Sequence, residues 1–281
     1  MRCLALRSLG ALSRPPRPCL LRRAARPCST TSSPSTHPAS TAPTARLSTR
    51  LAHAGCEVDP TTGALTPAIH LASTFERDED LEYRREFIYG RVGNPTRALL
   101  ERTLADLEAG SGALSFASGV AVAASVFQCF PGGCVIIPED IYHGNRTLLR
   151  TVFAEWGLRV EEVDMTSLGA VEALLAGVLR GDDSESGEGG GLPPEKVLIW
   201  SETPSNPLFN ITDIAAVSSL AKSYGVVHAV DSTWLTPYLC QPIALGADLV
   251  VHSTTKYVDV CVVVCCCVLC GAMCCTWLCA Q

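Results

Sequence analysis

Three features of this 281-residue chain could do chemistry together: Asp231 after the apolar run HAV, Lys256 closing HSTTK after DLVV, and Ser118-Gly119 ahead of an Ala/Val-rich stretch. A helix opened by glycine presents N–H groups to an anion, and a neutral lysine amine can attack a carbonyl. With a carboxylate beside them, these groups suit an anionic aromatic cofactor that carries a carbonyl group.

The elements that must position these residues can be read from hydrophobic spacing. Thr96 is placed to cap a helix running through Leu99, Leu100, Thr103, Leu104 and Leu107 until Gly110 stops it. A strand is predicted at 135–137, followed by a helix with Leu148, Leu149, Val152, Phe153 and Trp156 on one side, ending at Gly157. Strands are predicted at 158–163, 197–200, 226–230 and 249–251, and helices at 171–179 and 214–224. Residues 181–194, rich in Gly, Ser, Asp and Glu, have no apolar period and read as a solvated loop. Alternation of strand and helix implies an α/β fold with a mostly parallel sheet and helices on both faces. Ligands of such sheets sit at the carboxyl ends of the strands, where Asp231 and Lys256 fall.

At about 150 residues per domain, the length fits one large domain with appendages. With 47% hydrophobic and 18% charged residues the chain is expected to be globular. Its formal charge of -6 is unevenly spread, because residues 1–50 hold nine arginines and no lysine or acid. The rest therefore sets 13 basic residues against 28 acidic ones, which would repel a nucleic-acid backbone. Of 15 cysteines, Cys56, Cys129, Cys134, Cys240 and three in the first 28 residues show no paired spacing. They read as packing thiols of a reducing compartment.

The two ends differ from the middle. Residues 1–46 are Arg-rich, then rich in Ser, Thr, Pro and Ala, free of acids and without one continuous apolar run. That composition is expected of an organellar transit peptide, for a mitochondrion or a plastid, rather than a secretory signal; a disordered tail on a cytoplasmic protein is the alternative. Residues 258–281 are dominated by Val and Cys, with Asp259 the one charge. Their length permits a membrane span, and Cys267 and Cys270 form a CxxC, but no second pair or histidine follows, so no metal site is expected. Such runs are also what G/T-rich non-coding sequence yields on translation, and this tail is read as something other than the evolved continuation of the domain.

Pyridoxal phosphate asks for the set of groups named at the outset. Six segments then carry a resemblance over roughly residues 47–257: YGRVGNPT at 89–96, ASG at 117–119, EDIYHGNRTL at 139–148, ETPSNP at 202–207, VDSTW at 230–234 and HSTTKY at 252–257. In this order they resemble the sulfur amino-acid (Cys/Met) family of pyridoxal-phosphate (PLP) enzymes, which includes cystathionine γ-synthases, cystathionine lyases and methionine γ-lyases. The resemblance implies the large domain of a fold-type I PLP-dependent transferase, incomplete at its carboxyl end. It implies Lys256 as Schiff-base lysine, Asp231 as partner of the pyridine nitrogen and Tyr142 stacked on the ring. Ser118, Gly119, Val120, Ser253 and Thr255 then form the phosphate cradle, with Val120 standing where the family commonly has methionine. Asn206 lies near the ring oxygen and the substrate carboxylate, and Tyr89 and Arg91 reach the phosphate of a neighbouring subunit.

The function so implied is elimination or replacement at the β or γ carbon of a sulfur amino acid or activated homoserine, in a homodimer or homotetramer. After Tyr257 the family's Gly-rich stretch, small domain and carboxylate-binding arginine have no counterpart. The chain is therefore expected to be cut just after its catalytic lysine. The alternative is a non-catalytic fragment, membrane-associated through its tail, although a membrane role is not expected.

Overall fold

The computed structural model describes residues 45–83, 85–181, 190–258 and the backbone of Cys265–Leu269. Nearly all of the leader, Cys270 of the CxxC motif and most of the Val/Cys tail thus lie outside the described residues. Among the described residues there are seven strands: β1 (Gly112–Phe116), β2 (Cys134–Pro138), β3 (Arg159–Val163), β4 (Val197–Glu202), β5 (Val227–Asp231), β6 (Leu249–Ser253) and β7 (Cys265–Leu269). They form one sheet in the order β1-β7-β6-β5-β4-β2-β3. β7 pairs antiparallel with both neighbours, and the pairings among β2 to β6 are parallel. The mostly parallel sheet predicted from the sequence is what the structure shows.

Helices α1 (Leu47–His53) and α2 (Pro95–Leu107) precede β1, and α3 (Gly119–Gln128), α4 (His143–Leu148), α5 (Leu168–Arg180), α6 (Ile214–Tyr224) and α7 (Thr236–Leu239) lie between the strands. Every residue of β2 and β4 is buried, as expected for central parallel strands covered on both faces. Alternation sorts their side chains. Val135, Ile137, Leu198 and Trp200 pack with Val122, Phe127, Leu149 and Phe153 on one face. Ile136, Val197 and Ile199 pack with Leu175, Val178, Val217 and Ala221 of α5 and α6 on the other. The first face also carries Ala229 and Val251, so the same period brings Glu202, Asp231 and Ser253 onto it at the strand ends.

Local chemistry explains where helices begin. Asn94, and not Thr96, caps α2: its side chain accepts from the N–H groups of Thr96 and Arg97, and Pro95 fills the first helical position, where no donor is required. Ser167 and Asp213 cap α5 and α6, which end at Gly181 and Gly225 in left-handed conformation. The single helix expected through Trp156 is instead α4 followed by a wider π turn at Leu149–Phe153. That turn keeps Leu149 and Phe153 buried but leaves Trp156 65% exposed, its ring edge-on to Phe153 at 5.4 Å.

Candidate active site

The carboxyl ends of β2, β4, β5 and β6 and the start of α3 surround a cavity of about 320 Å³. Nine of the eleven residues singled out in the sequence line it: Ser118, Gly119, Val120, Tyr142, Asn206, Asp231, Ser253, Thr255 and Lys256. Tyr89 and Arg91 do not line it. They lie on a largely exposed segment, with the Arg91 guanidinium 4.8 Å from the centre of the Tyr89 ring. Asn145, Glu202, Thr233, Trp234 and Tyr257 complete the lining and were not picked out from the sequence.

Each group is held by its element. Ser118 has extended backbone and its Oγ accepts from Ala121 N at 3.1 Å, so the serine caps α3. The N–H groups of Gly119 and Val120 at the helix start have no intrahelical partner and border the cavity, with the helix dipole favouring an anion there. The Ser253 and Thr255 hydroxyls stand 3.2 Å apart at the end of β6, and the main chain turns back with Lys256 N donating to Ser253 O. Lys256 thus stands at the rim, exposed, and neighbours the hydroxyls. His252, in the same motif, points the other way: it is fully buried and paired with Glu108 at the end of α2.

Thr233 links the lysine motif to the aspartate. Its Oγ1 donates to Asp231 Oδ1 at 2.6 Å and accepts from Ser253 N at 2.8 Å, while its N–H also donates to Asp231 at 3.0 Å. Burial raises Asp231 above the usual carboxylate range, and the two Thr233 hydrogen bonds oppose that rise. A protonated ring nitrogen beside Asp231 would favour its charged form. Burial, reinforced by Asp231, also pushes Glu202 up to about 8. Tyr142 is 44% exposed on the cavity side, and the ring lies so close over Gly144 that an added Cβ would stand 2.5 Å from it. Anion-binding amides and hydroxyls, a lysine amine, a buried carboxylate and a tyrosine ring in one cavity form a donor set that fits pyridoxal phosphate.

The family described as Cys/Met metabolism PLP-dependent enzyme matches residues 48–272. The chain belongs to this family. Its cofactor is pyridoxal phosphate. Among its relatives, the chain is 41% identical over 214 residues to cystathionine gamma-synthase of Mycobacterium leprae, covering 75% of this chain and 51% of that one. It is 38% identical over 212 residues to cystathionine beta-lyase of Lactococcus lactis subsp. cremoris, with 75% and 51% covered. The chain spans about half the length of the curated relatives it matches.

Solved structures agree on the fold. A cystathionine gamma synthase from Xanthomonas oryzae pv. oryzae, in complex with aminoacrylate and cysteine, superposes with a TM-score of 0.72 at 33% identity over 83% of this chain and 57% of that one. A cystathionine gamma-lyase from Lactobacillus plantarum, complexed with L-serine, gives 0.70 at 35% identity over 81% and 55%. The family match runs past Tyr257 to residue 272, and strand β7 lies within that stretch. Among the described residues, no helix is long and apolar enough to cross a membrane, and no group of three or more His, Cys, Asp or Glu could hold a metal ion.

Proposed function

We propose that this chain supplies the cofactor-binding part of a transsulfuration enzyme that eliminates or replaces at the β or γ carbon of sulfur amino acids or activated homoserine. The observation that carries the reading is one cavity lined by Lys256, Asp231, Tyr142, Asn206 and the amides and hydroxyls of the phosphate cradle. Similarity to gamma-synthase, beta-lyase and gamma-lyase relatives supports the reaction class and leaves the substrate open among them.

Bound pyridoxal phosphate would supply an electron-accepting ring. The residues do the rest. The α3 amides with Ser253 and Thr255 would hold the phosphate, and Asp231 would favour a protonated ring nitrogen. Tyr142 would cover one ring face, and Asn206 would meet the ring oxygen and the substrate carboxylate. Lys256 at the rim would hold the cofactor's carbonyl group, and its amine would carry a proton between substrate carbons.

Tyr89 and Arg91 are assigned to a second subunit's phosphate, which makes the working unit a homodimer or homotetramer. Light scattering on the loaded protein reads this directly, and a monomer with full cofactor affinity would contradict it. The Arg-rich leader is assigned to mitochondrial or plastid import, with the cytoplasm as alternative; a reporter fused to residues 1–50 that stays cytosolic would contradict import. The function itself is tested by adding pyridoxal phosphate and then cystathionine. A visible band that appears, shifts on adding substrate and is absent in Lys256→Ala is expected. A band unchanged by that substitution would overturn the reading.

A further inference from the structure

We infer that Glu202 is a positioning residue of the cofactor site, its carboxylate holding the main chain of Tyr142 and of Asn206 where the ring needs them. The inference rests on the cofactor reading given above. Glu202 closes β4, is 4% exposed, and its Oε2 accepts from Tyr142 N at 2.9 Å. The main-chain N–H of Asn206 also faces this carboxyl group and favours its charged form. Tyr142 sits on the loop after β2 and Asn206 on the loop after β4, so one side chain fixes residues from two loops that flank the cavity.

The loops have other ties. Ser205 Oγ and Leu208 N both donate to Asp140 Oδ2, so the two segments stay joined without Glu202. What Glu202 adds is the placement of the two residues that face the ring. It also forms part of the wall between the cofactor cavity and a second one of about 220 Å³, lined by Asp140, Asp164 and Ser205 among others. The charged groups around it are Asp231 on β5, Asp140 beyond β2 and Lys256 beyond β6. A buried carboxyl group among carboxylates is costly to retain for loop attachment alone, since Asp140 already provides that.

The test titrates the full chain with pyridoxal phosphate and follows the visible band and the quenching of tryptophan fluorescence. Wild type, Lys256→Ala, Glu202→Gln and Glu202→Leu are compared, with urea unfolding of each cofactor-free protein alongside. Gln keeps one acceptor and Leu none, so affinity is expected to fall about tenfold and then about a hundredfold, one factor of ten per lost hydrogen bond. The band should also move in position, which a change confined to folding would not cause. Affinity and band position like wild type in both variants would overturn the inference while leaving the cofactor site intact. If Glu202→Leu does not fold, Glu202→Gln decides by the same criterion. A wild-type chain without a Lys256-dependent band would remove the cofactor site and this inference together.

Discussion

Glu202 and Asp231 are register partners on neighbouring strands, and their burial sets the titration of the cofactor-free protein. Folded Glu202 keeps its proton to about 8, against 4.5 for the ordinary side chain. The folded chain therefore binds more protons than the unfolded one across that window, and stability falls as pH rises through it. His228 does the reverse. Burial pushes it from 6.5 down to about 3, and with Ser201 and Ser218 on its two nitrogens it stays neutral. The unfolded chain binds more protons there, so stability falls as pH drops through that range. The two slopes oppose each other between pH 4.5 and 6.5, while Asp231, raised as well, acts in the same sense as Glu202, so urea-unfolding free energies should decline as pH rises above 6.5. Glu202→Gln should remove much of the alkaline decline; an unchanged profile would contradict the assignment. Gly144→Ala should displace the Tyr142 ring and weaken cofactor binding about tenfold while leaving the unfolding midpoint near wild type. Lys256, Asp231 and Ser118-Gly119 were legible because their residue types and strand-end places announce chemistry. Thr233 and Glu202 were not, since they act through hydrogen bonds to main chain and to other side chains. The signal that could have found Glu202 is its period of two behind Leu198 and Trp200, which puts a carboxylate on the Asp231 face.

Among the elements, fully buried strands and capped amphipathic helices were legible, because apolar runs and cap residues are local properties. β1 was missed: its five residues are only half-buried and its sequence, GALSF, includes neither a β-branched run nor strict alternation. The break between α4 and the π turn was also hidden, since both keep the same apolar residues inward. Strand β7 is the sharpest case. Composition set residues 258–281 apart from the domain, yet five of them, Cys265–Leu269, pair with β1 on one side and β6 on the other. An interior strand cannot spare a ladder donor, so Val268→Pro should lower the unfolding free energy by at least about 1 kcal/mol. Urea titration of the cofactor-free chain reads this, and an unaltered midpoint would place the segment outside the fold.

The whole molecule brings one strand-end edge of a seven-stranded sheet to bear on one cavity, with residues drawn from β4, β5 and the segments after β2 and β6. A ligand there ties the ends of separate strands together and should stabilise the native state. At a hundredfold excess over its dissociation constant, pyridoxal phosphate should add about 2.7 kcal/mol to the unfolding free energy. Lys256→Ala should reduce that gain in a thermal melt, and an equal gain in the variant would argue for binding elsewhere. The central claim is that Lys256 holds the cofactor, and the composition makes it unusually easy to test, because the chain has only three lysines: Lys196, Lys222 and Lys256. Lys196 sits in the short 3-10 turn before β4 and Lys222 on α6, neither lining the cavity. The full chain would be incubated with pyridoxal phosphate, reduced with borohydride, digested and mapped by mass spectrometry. The account predicts a pyridoxyl group on Lys256 alone; equal labelling of Lys196 or Lys222, or none on Lys256, would contradict it.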